Sequence, residues 1–461
     1  MLKLTVEQSE IISSESNLIF VSARAGTGKT TTLVEFAKLR KSDSILYIVY
    51  NNSIKEEAKG KFPERVIIHT IHSLAFSIVG REYSDKIGDN LKIEDLFAHL
   101  SYFKDKDLTL QENVKIATEI IKVLNHFFNS KTQKLRDLNY SEFNLTLALE
   151  YWTKMKDKNN LECLITHDGY LKIYQLSNPI LDYDYIMIDE AQDSNEVMLE
   201  LVFNQKAKKI FVGDPHQKIY GFRGALNIFG DSNYLQYEHE SFSLTESFRF
   251  GEEIANVANF LLRNFKQERV LITGSDRDSV LGPLDKEMQY TIITRTNTYL
   301  FDQAIELVRK GLKIHIIGGG EFIFKQVLDA YYLYKNELSK IKGTYFKTFK
   351  SFSELRGLAK ALRIPEHVFL VKIIDNYGDS LFDWISLIKK NMEGKKSANV
   401  ILTTAHKSKG LEFTSVLIGN DFLELPCTDN PEEINILYVA VTRATHDLEL
   451  NSNLRKSYGG V

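Results

Sequence analysis

Cysteine and proline are scarce in this sequence, and long apolar runs are missing. Two cysteines and seven prolines occur among the 461 residues, and Cys163 and Cys427 are too few and too far apart for a disulfide framework or a zinc site. No apolar run approaches the roughly 18 residues that a membrane span needs, and the first residues, MLKLTVEQSEIISSE, contain no apolar leader segment. We therefore expect a soluble, cytoplasmic protein without a membrane partner.

An excess of either charge is also missing. Lysine and arginine number 58 and aspartate and glutamate 61, which leaves a formal charge of −3. This balance excludes a general attraction of the whole molecule to nucleic acid, so any polyanion must be held by a local groove. Apolar residues make up 43% of the chain. A chain of this length should form two or more domains, because single cores stop growing at a smaller size.

A glycine-rich segment near the amino terminus predicts a phosphate-binding loop. The segment VSARAGTGKTTT overlaps the end of an apolar stretch, Asn17–Ala23, typical of a buried strand, and leads into Thr30–Leu39, which has helical spacing. Compared with the pattern G-x-x-x-x-G-K-[ST], Ala23 replaces the first glycine. A glycine turn without a ligand is the alternative interpretation. The predicted nucleotide ligands are Ala25, Gly26, Thr27, Gly28, Lys29, Thr30 and Thr31.

An acidic pair after a second predicted strand supplies the partner that such a loop needs. The stretch DYDYIMIDEAQD alternates its apolar side chains between two faces and leads into Asp189 and Glu190. We expect Thr30 and Asp189 to hold Mg²⁺ and Lys29 to reach the terminal phosphates. Glu190 would orient and deprotonate the attacking water. A solvated acidic turn is the alternative, but the apolar strand favours a P-loop nucleoside triphosphatase.

A second set of strands and helices makes a small kinase or GTPase a poor explanation. Such enzymes are compact domains of roughly 200 residues or fewer, and their acceptor-site or guanine-reading motifs are not found here. Strands are predicted at Thr291–Arg295, Lys313–Ile317, Val400–Ala405 and Ser415–Gly419. Two nucleotide-type lobes fit this pattern.

Eleven ordered motifs resemble one known family. They are TVEQSEII, ARAGTGKTTT, YNNSIKEEA, HTIHSLAF, DEAQD, FVGDPHQKIYGFRGA, LTESFRFG, TRTN, GGGEFIFKQVLDAYYLY, TTAHKSKGLEF and LYVAVTRA. In order and spacing the chain is similar to superfamily 1 helicases of the UvrD/Rep type, and in particular to the helicase core of the F-box DNA helicases. The resemblance implies an α/β fold of two RecA-like P-loop lobes, 1A and 2A, with ATP between them and single-stranded DNA across their top.

The same resemblance implies further residues at the ATP site. They are Gln8 as adenine reader, Gln217 as γ-phosphate sensor, Arg249 and Arg443 as γ-phosphate ligands from lobe 2A, Phe248 stacked on adenine, and Glu412 on the ribose. Lys409 and Gly410 would link the ATP and DNA sites. The alternative for Gln8 is a solvated glutamine on a helix surface, and the alternative for Phe248 is packing in the core. Asp214, which is close to Gln217, could equally form the turn before Pro215. The implied catalytic set is Lys29, Asp189, Glu190, Gln217, Arg249 and Arg443.

For the DNA site, the resemblance implies aromatic rings that stack on bases and polar groups near the phosphates. The matching residues are Tyr50, His72, Ser73, Tyr220, Phe222, Arg223 and His406. Core packing is the alternative for the aromatic residues, Tyr50 included.

The motif positions also divide the chain. Lobe 1A would comprise 1–80 and 165–245, interrupted by a helical subdomain 1B at 81–164. Lobe 2A would comprise 246–342 and 398–461, interrupted at 343–397 by a subdomain 2B that is much reduced relative to UvrD/Rep helicases. Because the chain starts at the helicase core, we expect neither an F-box nor a ubiquitin-ligase partner.

Three functions agree with these motifs. The first is a DNA helicase that uses ATP and Mg²⁺, acts on single-stranded DNA and single-strand/duplex junctions in repair or recombination control, and by family moves 3′→5′. The second is a translocase that strips proteins from single strands. The third is an ATP-gated subunit of a repair or phage-defence complex.

Overall fold

Two sheets of parallel strands organise the chain. The computed structural model describes residues 3–104, 108–221, 224–425 and 430–459. The chain divides into two units, Met1–Thr245 and Glu246–Val461, and each contains one of the sheets with helices packed around it. The predicted α/β fold class is confirmed. Among the described residues, no helix has the length and apolar character that crossing a membrane requires.

The strands and helices of the first unit have the following bounds. The strands are β1 (Leu18–Ala23), β2 (Ile45–Val49), β3 (Val66–Thr70), β4 (Ile87–Gly88), β5 (Ile165–Thr166), β6 (Tyr185–Ile188), β7 (Lys208–Gly213) and β8 (Glu240–Leu244). The helices are α1 (Val6–Ser13), α2 (Lys29–Leu39), α3 (Asn52–Lys59), α4 (Ile71–Ile78), α5 (Ile93–His99), α6 (Leu110–Asn129), α7 (Glu142–Lys156), α8 (His167–Leu176), α9 (Glu196–Phe203) and α10 (Ser232–Leu235).

The larger sheet of this unit has the strand order β3-β2-β6-β7-β1-β8. Every neighbouring pair is parallel; in the register of β1, Val21 lies between Val212 of β7 and Phe242 of β8. The strands predicted before the glycine-rich loop and before the acidic pair are therefore confirmed as β1 and β6. Because all the strands run the same way, the loops that follow them leave from one edge of the sheet.

Both faces of this sheet are buried. Ile186 and Ile188 of β6 belong to one core cluster, whereas Tyr185 and Met187 belong to another that includes Phe36 of α2. This arrangement confirms the predicted alternation along β6, and it places α2 on the face to which Met187 points.

The segment between β4 and β5 is helical. Its longest helix, α6, begins at a capping box in which Thr109 and Glu112 bond to each other's backbone N–H groups. Its apolar face packs against α7, where Trp152 contacts the rings of Phe127 and Phe128 at centroid distances of 6.2 and 5.0 Å. These rings belong to the same core cluster as Ile186, so the helical segment extends the core of the first unit.

The elements of the second unit follow in the same order. Its strands are β9 (Glu246–Gly251), β10 (Thr273–Ser275), β11 (Val280–Leu281), β12 (Tyr290–Thr294), β13 (Ile314–Ile316), β14 (Val400–Thr404), β15 (Phe413–Ile418) and β16 (Ala444–Glu449). Its helices are α11 (Glu252–Lys266), α12 (Asn297–Arg309), α13 (Glu321–Tyr334), α14 (Phe352–Leu362), α15 (Pro365–Tyr377), α16 (Leu381–Lys390), α17 (Ala405–Ser408), α18 (Glu432–Val441) and α19 (Ser452–Tyr458).

The main sheet of the second unit has the order β11-β16-β15-β12-β14-β13, again with parallel neighbours. The four strands predicted for this half of the chain are confirmed as β12, β13, β14 and β15. Strands β9 and β10 pair separately. Helices α14, α15 and α16 fill the interval before β14, and α15 packs on both α13 and α14.

Candidate functional site

The loop after β1 has the backbone that close contact with phosphate requires. Gly26 and Gly28 both have φ of 76°, in the left-handed region that residues with a Cβ rarely adopt. The Thr27 hydroxyl donates to the Arg24 carbonyl at 2.9 Å and closes the turn. Gly28 is the N-cap of α2, so Lys29 is the first residue of a helix whose amino end favours anions.

The acidic pair lies at the same edge of the sheet, just after β6. The Asp189 N–H donates to the Ile48 carbonyl of β2 at 3.1 Å, and the Glu190 N–H donates to Asp189 Oδ1 at 2.9 Å. Glu190 has φ of 53°, which is a strained conformation for a residue other than glycine and is concentrated at functional sites. The backbone therefore fixes where both carboxylates leave the sheet.

Side chains of the loop and the acidic pair contact each other directly. Lys29 Nζ lies 2.7 Å from Glu190 Oε1, and the Thr30 hydroxyl donates to Asp189 Oδ2 at 3.2 Å. Burial lowers the pKa of Lys29, but attraction by Glu190 and Asp189 outweighs it and leaves the pKa above its ordinary value. Burial raises the pKa of Asp189, and Lys29 opposes that rise. The structure thus brings the two predicted motifs together around a charged lysine.

Tyr47 is a part of this cluster that the sequence analysis missed. Its hydroxyl donates to Asp189 Oδ2 at 2.8 Å, and burial, followed by the charge of Asp189, raises its pKa well above the ordinary value. The available signal was a single hydroxyl in the otherwise apolar strand ILYIV, because a buried tyrosine usually finds a hydrogen-bond partner.

A chain of hydrogen bonds leads from Glu190 to Gln217. The Gln192 side-chain amide donates to Glu190 Oε2, and its oxygen accepts from the Asp214 N–H at 3.0 Å. Asp214 Oδ2 then accepts from Gln217 Nε2 at 2.8 Å. A Cβ on Gly213 would lie 2.2 Å from Gln192 Oε1, so a side chain at this position would displace the Gln192 amide from its hydrogen bonds. Gln192, also missed by the sequence analysis, connects the end of β6 to the end of β7.

Asp214 also has the turn-forming role that was the alternative for it. Its Oδ1 accepts from the His216 N–H at 3.0 Å and caps the short 3₁₀ helix Pro215–Gln217. The guanidinium of Arg24, which is buried, lies 4.0 Å from the same oxygen. Arg24 was not among the predicted site residues, yet it links the glycine-rich loop to the segment that carries Gln217.

Gln8 is buried, so the alternative of a solvated glutamine is wrong. Its Oε1 accepts from the Thr5 N–H at 3.1 Å, and its own N–H donates to the Thr5 hydroxyl, which forms the capping box of α1. Glu7 on the same helix accepts two hydrogen bonds from Thr245. These contacts fix α1 against the chain that follows β8.

Tyr50 and Tyr220, two of the predicted DNA ligands, stack on each other. Their ring centroids are 5.5 Å apart with an interplanar angle of 13°, and both rings are partly exposed. Tyr50 follows β2 at the edge of the sheet that carries Asp189. Tyr50 is partly exposed, so the alternative that it is a buried core residue is wrong.

His72 and Ser73 follow β3 at the same edge, in the first turn of α4. His72 Nε2 lies 2.9 Å from Asp168 Oδ1. The Ser73 hydroxyl is 3.0 Å from His69 Nδ1 and accepts from the Thr70 N–H. Both side chains are half-buried and polar, so these contacts leave their assignment to DNA a prediction.

In the second unit, the predicted ATP ligands Arg249, Glu412 and Arg443 lie close together. Arg249 is in β9, whereas Glu412 and Arg443 directly precede β15 and β16. Arg249 Nε donates to Glu412 Oε1 at 2.7 Å, and its terminal nitrogen donates to the Thr442 carbonyl at 3.0 Å. Arg443 is only 1% exposed, and its guanidinium donates to the Leu411 carbonyl at 3.3 Å. Three separate motifs thus meet at one end of these strands.

Phe248 and His406 are two further predicted residues of the second unit. Phe248 is 38% exposed, so core packing is wrong for it. His406 lies in α17, directly after β14, and is partly exposed.

The sequence of the first unit also matches a known family. Residues 4–240, more than half of the chain, match the model of the UvrD/REP helicase N-terminal domain. The chain belongs to the UvrD/REP helicase family. A second match covers residues 399–450 and corresponds to the UvrD-like helicase C-terminal domain. The resemblance inferred from the motifs is confirmed.

Named relatives of this chain include F-box DNA helicases. F-box DNA helicase 1 of Gallus gallus is 32% identical over 98% of this chain and 49% of its own length. F-box DNA helicase protein 1 of Schizosaccharomyces pombe is 33% identical over 99% of this chain and 58% of its own. The ATP-dependent DNA helicase PcrA of Leuconostoc citreum is 25% identical over 57% of this chain and 39% of its own length. The chain spans about half the length of the F-box relatives.

Two of the predicted DNA ligands, Phe222 and Arg223, lie outside the described residues. Lys409 and Gly410 lie between α17 and β15, where Gly410 has φ of 81°. The roles assigned to these four residues stay predictions.

Proposed function

We propose that the chain is an ATP-dependent DNA helicase that translocates 3′→5′ on single-stranded DNA and separates duplexes in DNA repair or recombination control. The observation that carries the proposal is the cluster at the carboxyl edge of the first sheet, where Lys29 meets Glu190 and Thr30 meets Asp189. Family membership and the names of the relatives, all DNA helicases, support it.

The residues of this cluster fit ATP and Mg²⁺. The Thr30 hydroxyl and the Asp189 carboxylate, 3.2 Å apart, offer the hard oxygen ligands that Mg²⁺ prefers and would hold it. When bound, Mg²⁺ supplies positive charge against the phosphates. Lys29 would exchange Glu190 for a phosphate oxygen, and Glu190 would then be available to accept the proton of the attacking water.

The remaining ATP ligands are proposed with the roles that the family implies. Gln8 would contact adenine, Phe248 would stack on it, and Glu412 would bind ribose. Gln217, held by Asp214 at 2.8 Å, would contact the attacking water. Arg249 and Arg443 would supply positive charge in the transition state.

We also propose the division into lobes and subdomains that the motifs predict. Lobe 1A would comprise 1–80 and 165–245, and lobe 2A 246–342 and 398–461. Subdomain 1B at 81–164 would comprise the helical segment around α6 and α7, and the reduced subdomain 2B at 343–397 would comprise α14, α15 and α16.

The first test is ATP hydrolysis by the purified chain with and without single-stranded DNA. We expect strong stimulation by the strand, because a helicase couples turnover to a bound strand. Duplexes with either a 3′ or a 5′ tail then decide polarity, and we expect unwinding of the 3′-tailed substrate only. Stimulation without unwinding would favour the protein-stripping translocase. ATP binding without stimulation would contradict the proposal and favour the gated subunit.

The stacked pair of tyrosines provides a test of the proposed DNA path. Tyr50→Ala should raise the concentration of single-stranded DNA that gives half-maximal ATPase stimulation by about tenfold, because stacking on one base contributes on the order of 1–3 kcal/mol. Tyr50→Phe keeps the ring that stacks on Tyr220 and is the matched control. An unchanged half-maximal concentration for Tyr50→Ala would remove Tyr50 from the DNA path.

A further inference from the structure

The side chain of Tyr47 has a polar hydroxyl, whereas the other side chains of β2 are entirely apolar. All five residues of β2 are buried, and Tyr47 belongs to the core cluster on the face of the sheet that packs against α2. Its ring lies 4.4 Å, centroid to centroid, from the ring of Phe62. Packing therefore fixes the ring, and the ring fixes the position of the hydroxyl.

Strand register sets the distance between this hydroxyl and Asp189. Tyr47 pairs with Met187 of β6, and Asp189 follows Met187 by two residues, which returns its side chain to the same face. The Asp189 N–H also bonds to the carbonyl of Ile48, the residue after Tyr47, at 3.1 Å. The long tyrosine side chain thus reaches along the sheet toward its carboxyl edge and meets the carboxylate.

Three donors hold the Asp189 carboxylate. Oδ2 accepts from the Tyr47 hydroxyl at 2.8 Å and from the Thr30 hydroxyl at 3.2 Å, and Oδ1 accepts from the Glu190 N–H at 2.9 Å. Thr30 is itself a proposed Mg²⁺ ligand, and Glu190 contributes its backbone. Tyr47 is the side chain among these donors that has no proposed contact with Mg²⁺ or nucleotide.

We propose that Tyr47 is a positioning residue that orients the Asp189 carboxylate for Mg²⁺ and so sets the Mg²⁺ requirement of nucleotide binding. The inference rests on the proposed function, in which Thr30 and Asp189 hold Mg²⁺. Partners behind a metal ligand fix its orientation, and their loss typically weakens metal affinity by about 10- to 100-fold. A carboxylate that has lost the Tyr47 hydrogen bond must be reoriented each time that Mg²⁺ binds.

The test is the Mg²⁺ dependence of nucleotide binding in Tyr47→Phe, which removes the hydroxyl and keeps the ring. Binding of a fluorescent ADP analogue is titrated with Mg²⁺, so the readout does not depend on turnover. We expect the Mg²⁺ concentration at half-maximal enhancement to rise about tenfold. Affinity for the analogue in the presence of a chelator should stay at the wild-type value.

Tyr174→Phe is the matched control, because it removes a buried hydroxyl that has no hydrogen-bond partner among the described residues. Its Mg²⁺ titration should overlap that of the wild type. In an Asp189→Asn background, adding Tyr47→Phe should produce no further shift, since the tyrosine acts through the carboxylate.

Two results would overturn the inference. One is a Tyr47→Phe titration that overlaps the wild-type curve; the other is loss of the cooperative thermal transition in Tyr47→Phe while Tyr174→Phe retains it, which would make the hydroxyl a folding requirement. Failure of the proposed function looks different, because the wild type itself would then bind nucleotide without any response to Mg²⁺.

Discussion

Lys29→Ala should abolish ATP turnover and weaken nucleotide binding. Lys29 begins α2, and its Nζ lies 2.7 Å from Glu190 Oε1, so its charge is located at the acidic pair and next to the loop. Loss of one charged donor to the phosphates should lower kcat by at least about 10²-fold and weaken nucleotide affinity by about tenfold. Steady-state hydrolysis and equilibrium binding of a fluorescent nucleotide measure the two effects.

Lys38→Ala is the matched control for this variant. Lys38 lies on the same helix, but its side chain is 53% exposed and pairs with Glu35. An exposed pair of this kind contributes little to stability, so Lys38→Ala should hydrolyse ATP at the wild-type rate. Substantial turnover by Lys29→Ala would contradict the proposed phosphate loop.

Arg443→Ala should also abolish turnover, but it should largely spare nucleotide binding. An arginine that meets the transition-state charge is worth about 10³-fold or more in kcat, whereas ground-state affinity depends on the phosphate loop. The guanidinium of Arg443 donates to the carbonyls of Val439 and Leu411 at 3.0 and 3.3 Å, so two backbone contacts fix the position of its charge. In this variant, single-turnover hydrolysis should therefore be lost while nucleotide binding is largely retained.

Because Arg443 is buried, its removal could also lower stability, and the controls must separate the two effects. Arg455→Ala removes an exposed arginine of the same unit that likewise donates to a backbone carbonyl, Leu450, at 3.4 Å. Both variants are compared by thermal denaturation. If Arg443→Ala lowers both the nucleotide affinity and the melting temperature without a specific loss of kcat, Arg443 stabilises the fold and does not act in catalysis.

Site residues that are identified by a short local sequence motif could be predicted in this chain. The glycine-rich loop, the acidic pair and the strands before them are each defined by a few consecutive residues, and apolar runs ending in glycine or acidic residues mark such sites. Their meeting at one edge followed from the rule that parallel strands present their carboxyl ends together. Lys29 and Glu190 are 161 residues apart in the chain, yet this rule was enough to pair them.

Site residues whose contacts depend on how the strands pair could not be predicted. Tyr47 acts on a carboxylate 142 residues away, and Gln192 bridges to Asp214 across the ends of β6 and β7. Arg24 has a charged partner, Asp214, only because β1 and β7 are neighbours in the sheet. The lone hydroxyl in the strand ILYIV indicates that Tyr47 needs a hydrogen-bond partner, but it does not identify that partner. The local sequence does not distinguish Gln192 or Arg24 from ordinary loop positions.

The parallel order of the first sheet has a practical consequence for attaching the protein to a surface. Ile180 is 90% exposed and precedes β6, so it lies at the amino edge of the sheet, opposite the loops that carry Lys29, Tyr50 and Glu190. In a Cys427→Ser background, a thiol introduced there by Ile180→Cys provides a handle for a dye or a tether, and Cys163 is buried and would compete little for the reagent. Single molecules anchored by this side would keep the phosphate loop and the stacked tyrosines turned away from the support.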